Sequence, residues 1–501
     1  MSPDEYSRQV MRLFEVILIA TLIAAAAAQM TKSAASWSRT FAVLGVLVAI
    51  WHVLHEGTHW QMFPALAGLV LLVAWLLIPA SRRASRYPSM RNPVAIAVAL
   101  LSVTTFGLLL IVPMFTLPKP TGPYPVGTRI IYLKDSSRTE DKAEKPGTAR
   151  ELVVQLWYPA DPSNNHLAAY ERKSETIPLT SYRSVLWTNS REDAPVAAQG
   201  GPFPVLLFNH GWAGRRTQDT FLTEDLASHG YVVASIDHTY NSSRVELPGD
   251  RIVDDIDGSD PIDTNLHSVG EITETWNKEL NKWVADEVFI LNTLQSDNLD
   301  QKSPWYGRLD TQRAGALGHS FGGAAAVQMC SVDARIQSAV NMDGWTFGDL
   351  RQRPANQPTM FLYGVAAGGS LPPDPGTMGA AAHAEAELNA TDRNEVDTSL
   401  RQFGGYKVSI SNTAHMDFTD HPLVSPWRRW TQPDHISPAR IETIVRAYVL
   451  AFFDQTIRET KPPLLESGTS SPFREVKIEH WSPESKAASV ETALKPPHLL
   501  Q

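Results

Sequence analysis

The spacing of apolar residues divides the chain near residue 117 into two regions with different patterns. Before that point lie four apolar runs, and the last two approach or exceed the roughly 20 residues that a helix needs to cross the ~30 Å hydrocarbon core of a bilayer. The four runs are Leu13–Ala28, Phe41–Leu54, Met62–Ala80 and Val94–Leu117. A signal peptide is the alternative for the first run, but its flank is acidic as well as basic and three apolar runs follow. We therefore predict about four transmembrane helices within residues 1–117.

The basic residues of the short loops predict the orientation of these helices. The loop between the last two runs contains Arg82, Arg83, Arg86 and Arg91. Basic loops stay in the cytoplasm, so the final helix would deliver everything after Leu117 to the opposite face. Basic residues soon after the last run, such as Lys119 and Arg129, weaken this bias. We expect an integral protein of a bacterial inner membrane with its globular part on the extracytoplasmic side.

A histidine-rich segment lies between the second and third apolar runs. Histidines at the spacing of His52, His55 and His59, with Glu56 among them, could bind a metal ion from one helix. Residues His55-Glu56-Gly57-Thr58-His59 have the H-E-x-x-H spacing of the zinc-protease motif, but the segment lies between two apolar runs and not within a predicted helix. We expect these to be polar residues at the membrane interface, and we predict no metal site.

After a proline- and glycine-rich linker at residues 118–128, short strand-like runs alternate with helical patterns. The predicted strands are Arg129–Leu133, Leu152–Tyr158, Pro204–Asn209, Tyr231–Asp237, Ala314–Gly318, Ser338–Met342, Met360–Tyr363 and Lys407–Ser411. The predicted helices are Gln218–Ser228, Glu274–Leu294, Phe321–Cys330 and Ala439–Ile457. This alternation predicts an α/β domain at residues 129–460, with a mostly parallel sheet, helices on both faces and an antiparallel edge formed by the early strands.

Three further segments fall outside this alternation. Two polar inserts, Ala168–Gly201 and Asn241–Gly270, interrupt the domain, and the second contains an acidic run from Asp254 to Asp260. The run lacks the spacing of a calcium-binding EF-hand loop, so we expect a solvated loop. Residues 461–501 are rich in proline, serine and glutamate, and we expect a surface-wrapping or partly disordered tail.

Charge and cysteine content exclude some classes of function. The net charge of −9 argues against a nucleic-acid partner, because no basic stripe is present to neutralise phosphates. The single cysteine, Cys330, excludes an intramolecular disulfide and a cysteine-rich zinc site.

A motif for nucleophilic catalysis lies in the second region. Residues 318–322 read Gly-His-Ser-Phe-Gly, after a short apolar strand and before an alanine-rich helix start. This G-x-S-x-G pattern is similar to the turn that exposes the nucleophile of α/β-hydrolases. Its glycines let the backbone turn sharply without Cβ clashes. We therefore predict that Ser320 is a nucleophile.

A serine hydroxyl needs a base to take its proton, and in proteins with this motif an acid and then a histidine follow the serine along the chain. His415 follows the last core strand and is the preferred base; its rivals are His383, His421 and His435. Two acids compete, Asp343 after one strand and Asp374 in a proline-rich loop after the next. We favour Asp343, because it directly follows an apolar strand and precedes a tight turn.

The oxyanion formed during ester cleavage needs two backbone N–H donors. The loop after the strand Pro204–Asn209 reads His210-Gly211-Trp212-Ala213-Gly214, and its small residues permit close backbone approach. We predict that the donors are the amides of Trp212 and Phe321. His210 is expected to brace this loop by hydrogen bonding rather than to act in catalysis.

Taken together, these segments resemble the plasma-type platelet-activating-factor acetylhydrolases and their bacterial esterase relatives. The matching segments are Trp157–Pro159, Phe208–Thr217, Asp225–Ala234, Gly318–Ala324, Asp343–Trp345 and His415–Phe418. The resemblance covers approximately residues 129–457. It implies an α/β-hydrolase fold, metal-independent ester hydrolysis without a cofactor, and Asp343 as the acid. The multi-helix N-terminal region and the two inserts depart from the family pattern, so lipid specificity does not transfer directly.

We expect a membrane-anchored serine esterase that acts on short-acyl phospholipids or small lipophilic esters. The alternatives are a broad carboxylesterase without phospholipid preference and a catalytically silent membrane protein with a hydrolase fold. An intact set of Ser320, Asp343 and His415 argues against the silent alternative.

Overall fold

The computed structural model describes residues 12–31, 36–79, 91–163, 165–255, 268–348, 350, 357–365, 380–424, 435–466 and 471–483. The chain divides into two compact units. The first consists of Met1–Leu117, Ala169–Thr188 and His421–Pro433, and the second of Pro118–Ala168, Asn189–Asp420 and Asp434–Gln501. This division differs from the predicted domains, because two segments of the predicted catalytic domain belong to the first unit.

Four helices form most of the first unit. They are α1 (Leu13–Met30), α2 (Trp37–His55), α3 (Phe63–Leu77) and α4 (Arg91–Ile111). A short 3₁₀ turn, Trp60–Met62, directly precedes α3 and extends it. With this extension, all four helices are long and apolar enough to cross a membrane, judged by length and composition alone. The fourth helix ends six residues before the predicted Leu117, because Pro113 has no N–H to continue the hydrogen-bond ladder.

The interior of the first unit contains polar side chains among leucines and alanines. Leu18, Leu22 and Leu72 are fully buried, and so are Glu15 and His52. His59 is also buried, whereas His55 is exposed. Each buried histidine has a carboxylate partner inside the unit, Glu56 for His52 and Glu15 for His59. The expected position of this segment at a membrane interface stays a prediction.

The second unit is built on an eleven-stranded sheet. Its strands are β1 (Val126–Thr139), β2 (Ala149–Pro159), β3 (Leu167–Ala169), β4 (Trp187–Glu192), β5 (Phe203–Asn209), β6 (Val232–Asp237), β9 (Leu309–His319), β10 (Ile336–Met342), β11 (Thr359–Val365), β12 (Gly405–Ser411) and β13 (Val476–Trp481). The order is β13-β12-β11-β10-β9-β5-β6-β2-β1-β4-β3. The strands from β12 to β6 are parallel, and β2 and β1 are antiparallel, as the sequence predicts.

Helices cover both faces of this sheet. Their bounds are α5 (Thr220–Ser228), α6 (Val269–Leu299), α7 (Phe321–Val332), α8 (Ala380–Phe403) and α10 (Pro438–Thr456), and a short α9 (His421–Val424) belongs to the first unit. One apolar cluster packs α6, α7 and α8 against one face, and a second packs α5 and α10 against the other. The predicted α/β-hydrolase architecture, a mostly parallel sheet between two helical layers, is confirmed. Helix α8 was not predicted.

Two segments at the edges of the predicted domain differ from expectation. The predicted linker packs on α5, where the Thr121 amide donates to Asp225 Oδ1 (2.7 Å) and the Gly122 amide to Ser228 Oγ (2.9 Å). The predicted tail forms strand β13, antiparallel to β12. The tail prediction missed an alternating pattern in which Val476 and Ile478 pack on the core.

The two inserts also contain structure. The first includes β3, β4 and two 3₁₀ turns, Lys173–Glu175 and Ser181–Val185. The second begins with a hairpin of β7 (Arg244–Leu247) and β8 (Arg251–Asp254). Residues 256–267, with the later part of the acidic run, lie outside the described residues.

Candidate active site

Ser320 occupies the turn between β9 and α7. Its backbone has φ 55° and ψ −126°, a conformation that costs energy for any residue with a Cβ. Neither flanking glycine has room for a side chain. A Cβ on Gly318 would lie 2.3 Å from the carbonyl carbon of Gly322, and a Cβ on Gly322 would lie 2.3 Å from the backbone carbonyl oxygen of Asn209. The sequence Gly-His-Ser-Phe-Gly thus forms the sharp strand-to-helix turn that it predicts.

Asp343 lies beside this turn because β10 runs parallel to β9. The register pairs Met342 with His319, and the Ser320 amide donates to the Met342 carbonyl (2.9 Å). Two donors hold the Asp343 carboxylate: the Gly364 amide donates to Oδ1 (2.8 Å), and His415 Nδ1 donates to Oδ2 (2.8 Å). The rival acid, Asp374, lies outside the described residues.

His415 begins a 3₁₀ turn, His415–Phe418, shortly after β12. The turn is fixed by Asp417, whose Oδ2 accepts from the Ala414 amide (2.8 Å). The His415 side chain is 46% exposed and lines the same cavity as Ser320. Of the rival histidines, His435 lies 3.7 Å from Asp417 Oδ2, and His383 has a side chain outside the described residues. His421 belongs to the first unit.

Ser320, Asp343 and His415 line one cavity of about 630 Å³. Trp212 and Phe321 also line it, with their rings 5.4 Å apart in an edge-to-face arrangement. In the part of the chain that the structure describes, the backbone amides of Trp212 and Phe321 donate to no protein acceptor. Gly211 brings this loop close to the serine, since a Cβ there would lie 3.3 Å from Ser320 Cβ.

A chain of hydrogen bonds that the sequence did not predict connects the three loops of the site. The Gly211 amide donates to Gln218 Oε1 (2.8 Å), and Gln218 Nε2 donates to His319 Nδ1 (2.9 Å). His319 Nε2 then donates to the His415 carbonyl (2.9 Å). Burial lowers the pKa of His319 to about 3, so its ring is neutral. The motif leaves the identity of residue 319 open, and no pattern distinguishes Gln218.

His210 has the bracing role expected for it. Its Nδ1 donates to the Gly211 carbonyl (2.6 Å), and its Nε2 accepts from Ser242 Oγ (2.7 Å). The side chain is fully buried, and this burial lowers its pKa to about 4. A neutral ring with both nitrogens bonded holds the loop in place and has no free atom for proton transfer.

The residues that line the cavity are of two chemical kinds. One group is aromatic, with Trp276, Trp345 and Phe347 beside Trp212 and Phe321. The other is polar and comes from α8 and β12, with Asn389, Asp392, Arg393, Lys407 and Ser409. Lys407 pairs with Asp397, while Arg393 has no ion-pair partner among the described residues. The cavity therefore offers both an aromatic surface for an apolar group and a cation.

The fold and this site define an α/β-hydrolase-fold protein. The model of the family described as platelet-activating factor acetylhydrolase, isoform II, matches residues 111–366, and the chain belongs to this family. This membership confirms the resemblance drawn from the sequence.

Three similar proteins illustrate the relationship. A probable 1-alkyl-2-acetylglycerophosphocholine esterase of Arthroderma benhamiae is 28% identical over 47% of this chain and 60% of its own length. A platelet-activating factor acetylhydrolase of Cavia porcellus is 25% identical over 52% of this chain and 62% of its own length. The chain thus spans about three fifths of these relatives. The solved ferulic acid esterase of Streptomyces cinnamoneus is 28% identical, with a TM-score of 0.56 over 72% of this chain and 98% of its own.

Proposed function

We propose that the chain is a membrane-anchored serine hydrolase that cleaves carboxylic esters through an acyl-enzyme. The observation that carries this proposal is the 2.8 Å hydrogen bond from His415 Nδ1 to Asp343 Oδ2, in a cavity whose wall includes Ser320. Family membership supports it, because the similar proteins are named as esterases and acetylhydrolases.

In the proposed reaction, His415 Nε2 takes the Ser320 hydroxyl proton while Oγ attacks the ester carbonyl carbon. The bond from that carbon to the alcohol oxygen then breaks, and the leaving alcohol takes the proton from Nε2. A water molecule next gives a proton to Nε2 and attacks the acyl-enzyme, which releases the acid as Ser320 regains its proton. Asp343 stays ionised throughout; its bond to Nδ1 keeps the lone pair on Nε2 and stabilises the imidazolium.

The oxyanion of each tetrahedral intermediate would be held by the amides of Trp212 and Phe321. Both amides belong to residues that line the cavity, and neither has a protein acceptor in the described structure. A donor of this kind contributes roughly 3 kcal/mol to transition-state stabilisation in enzymes of this type. The bonds of Gln218 and His210 to Gly211 would keep the loop in place before substrate arrives.

Short-acyl phospholipids are the substrate class that the lining of the cavity supports best. The aromatic residues of the lining suit an apolar acyl or alkyl group, and the guanidinium of Arg393, which has no ion-pair partner among the described residues, suits an anionic phosphodiester. The names of the two curated relatives point to the same class. The likeness to a ferulic acid esterase favours a second candidate, a carboxylesterase that prefers aryl or other small lipophilic esters.

A turnover panel on the purified full chain separates these candidates. Under the phospholipid proposal, an acetyl phospholipid gives the highest kcat/KM, and turnover falls as the acyl chain lengthens. Fast hydrolysis of aryl acetates or feruloyl esters with no phospholipid turnover would establish the carboxylesterase instead. No turnover of any ester would contradict the proposal as a whole.

We further propose that the four apolar helices anchor the protein in a bacterial inner membrane with the second unit outside the cytoplasm. Helix length and composition support the anchoring, and Arg82, Arg83, Arg86 and Arg91 support the orientation. Protease added to intact spheroplasts should then digest the second unit. Protection until the membrane is broken would reverse the orientation.

A further inference from the structure

A cluster of glutamate and histidine side chains lies inside the helical first unit, apart from the residues proposed for ester hydrolysis. We propose that Glu15, His52 and Glu56 bind a divalent transition-metal ion of the zinc type. Each of the three offers one ligand atom, and these atoms all lie within 4.8 Å of one another. Glu15 and His52 are fully buried, and the Glu56 side chain is 13% exposed.

The spacing of these atoms suits a zinc ion. Zinc binds imidazole nitrogen and carboxylate oxygen at about 2.0–2.2 Å, so the ligand atoms of a tetrahedral site lie about 3.3–3.6 Å apart. His52 Nδ1 and Glu56 Oε2 are 2.8 Å apart, and one ligand atom of each of the three residues lies within 4.8 Å of the others. Side-chain rotations would bring the three ligand atoms to the tetrahedral spacing.

The nitrogen of His52 that faces Glu56 is Nδ1, and it would bind the ion in place of its hydrogen bond to Oε2. Imidazole nitrogen is a common metal ligand.

Further contacts orient the two carboxylates. Glu15 Oε1 lies 3.0 Å from His59 Nε2, and Glu15 Oε2 accepts from the Arg12 amide (2.9 Å). Glu56 Oε1 accepts from the Phe14 amide (3.3 Å). Outer contacts of this sort fix ligands in metal sites and affect affinity by about 10–100-fold. His59 is close enough to Glu15 to supply a fourth ligand after a side-chain movement.

Charge also favours a cation here. Two carboxylates inside a group of apolar helices need compensation, and ionisable residues within membrane spans mark functional sites by default. Among the described residues, the guanidinium of Arg12 donates to the backbone carbonyls of Glu56 and Val185. A divalent ion would give the two carboxylates a direct cationic partner. A nitrogen ligand favours zinc-type ions over calcium and magnesium.

The test is metal analysis of the full chain purified in detergent with an affinity tag that contains no histidine. After incubation with zinc sulfate and removal of free ions, elemental analysis should find one zinc per chain. His52→Ala and Glu56→Gln should each lower the zinc affinity at least tenfold. The matched control is His55→Ala, which removes an exposed histidine of the same helix and should leave zinc content unchanged.

Cobalt gives a second readout, because the visible absorption of Co²⁺ reports its ligands. The stripped wild-type chain should give an intense band on cobalt addition, and Glu56→Gln should weaken or shift it. Glu56→Gln keeps the shape of the side chain, so it still tests whether the cluster binds zinc if His52→Ala does not fold. No zinc in the wild type, or equal zinc and the same cobalt band in the variants, would overturn the proposal and leave a hydrogen-bonded cluster. Ester turnover is not used here, so failure of the metal site and failure of the esterase remain distinguishable.

Discussion

The cavity of the second unit and the Glu-His cluster of the first unit both combine histidine with carboxylate, in opposite surroundings. In the cavity, His415 is 46% exposed and Asp343 orients it through one bond. In the cluster, His52 is fully buried between carboxylates of two different helices. An exposed histidine can exchange protons with a substrate, whereas a buried one within 4.8 Å of two carboxylate oxygens is suited to hold a cation. Burial therefore separates the two proposed roles.

The two sites also differ in how they are encoded. Ser320 sits in a five-residue motif, and Asp343 follows the neighbouring strand, so short stretches of sequence specify them. Glu15 and His52 come from α1 and α2, and only the packing of these helices brings them together. A site built from strand ends can be found in the sequence, but one built between helices requires the structure.

Among changes to the cavity, removal of the nucleophile should have the largest effect on ester turnover. Ser320→Ala is expected to lower kcat by about 10⁴–10⁶, because no acyl-enzyme can form. Initial rates on an aryl acetate measure this, with His55→Ala as a control that leaves turnover unchanged. Retention of more than a small fraction of the activity by pure protein would assign the nucleophile elsewhere.

The next largest effect should come from the acid. Asp343→Asn is expected to lower kcat by about 10⁴, because an amide in place of the carboxylate would favour the wrong tautomer of His415. Asp374→Asn should be nearly silent in the same assay. If Asp374→Asn abolished turnover and Asp343→Asn did not, the acid would follow β11 instead of β10.

His319 should have an intermediate effect, as a positioning residue that acts through His415. His319→Ala removes the bonds to Gln218 and to the His415 carbonyl, and kcat should fall about tenfold with KM little changed. His319→Gln keeps a donor near Nε2 and should recover part of the loss.

The pH profile distinguishes positioning from proton transfer by His319. Burial lowers its folded pKa to about 3, so the ring stays neutral as pH rises above that value. The apparent pKa values of kcat/KM should therefore be the same in the wild type and His319→Gln. A profile displaced in the variant would make His319 a participant in proton transfer.

The smallest effect should be on substrate preference. Arg393→Ala is expected to raise KM for an anionic phospholipid by about three- to tenfold, as suits one exposed charge, and to leave KM for a neutral aryl acetate unchanged. Arg401→Ala, a change in the same helix away from the cavity, is the control. Equal KM values on phospholipid would remove Arg393 from headgroup binding.

The sequence predicted the features that local patterns encode. Apolar runs located the four helices of the first unit, and alternating patterns located the parallel strands. It missed α8, whose alanine-rich start has no strong apolar period, and with it the polar lining residues that include Arg393. It also missed strand β13, because composition suggested a tail. The roles of Gln218 and the buried His52 could not be predicted, because they depend on residues distant in the chain, His319 and Glu15.

The most direct test of the central proposal is chemical labelling of the intact full chain with a fluorophosphonate, followed by peptide mapping. This reagent reacts with a serine only where a base activates the hydroxyl. We predict one stoichiometric adduct on Ser320, absent from Ser320→Ala, strongly slowed in Asp343→Asn and unaffected in His52→Ala. An adduct on a different serine, or no adduct in protein that hydrolyses esters, would contradict the account.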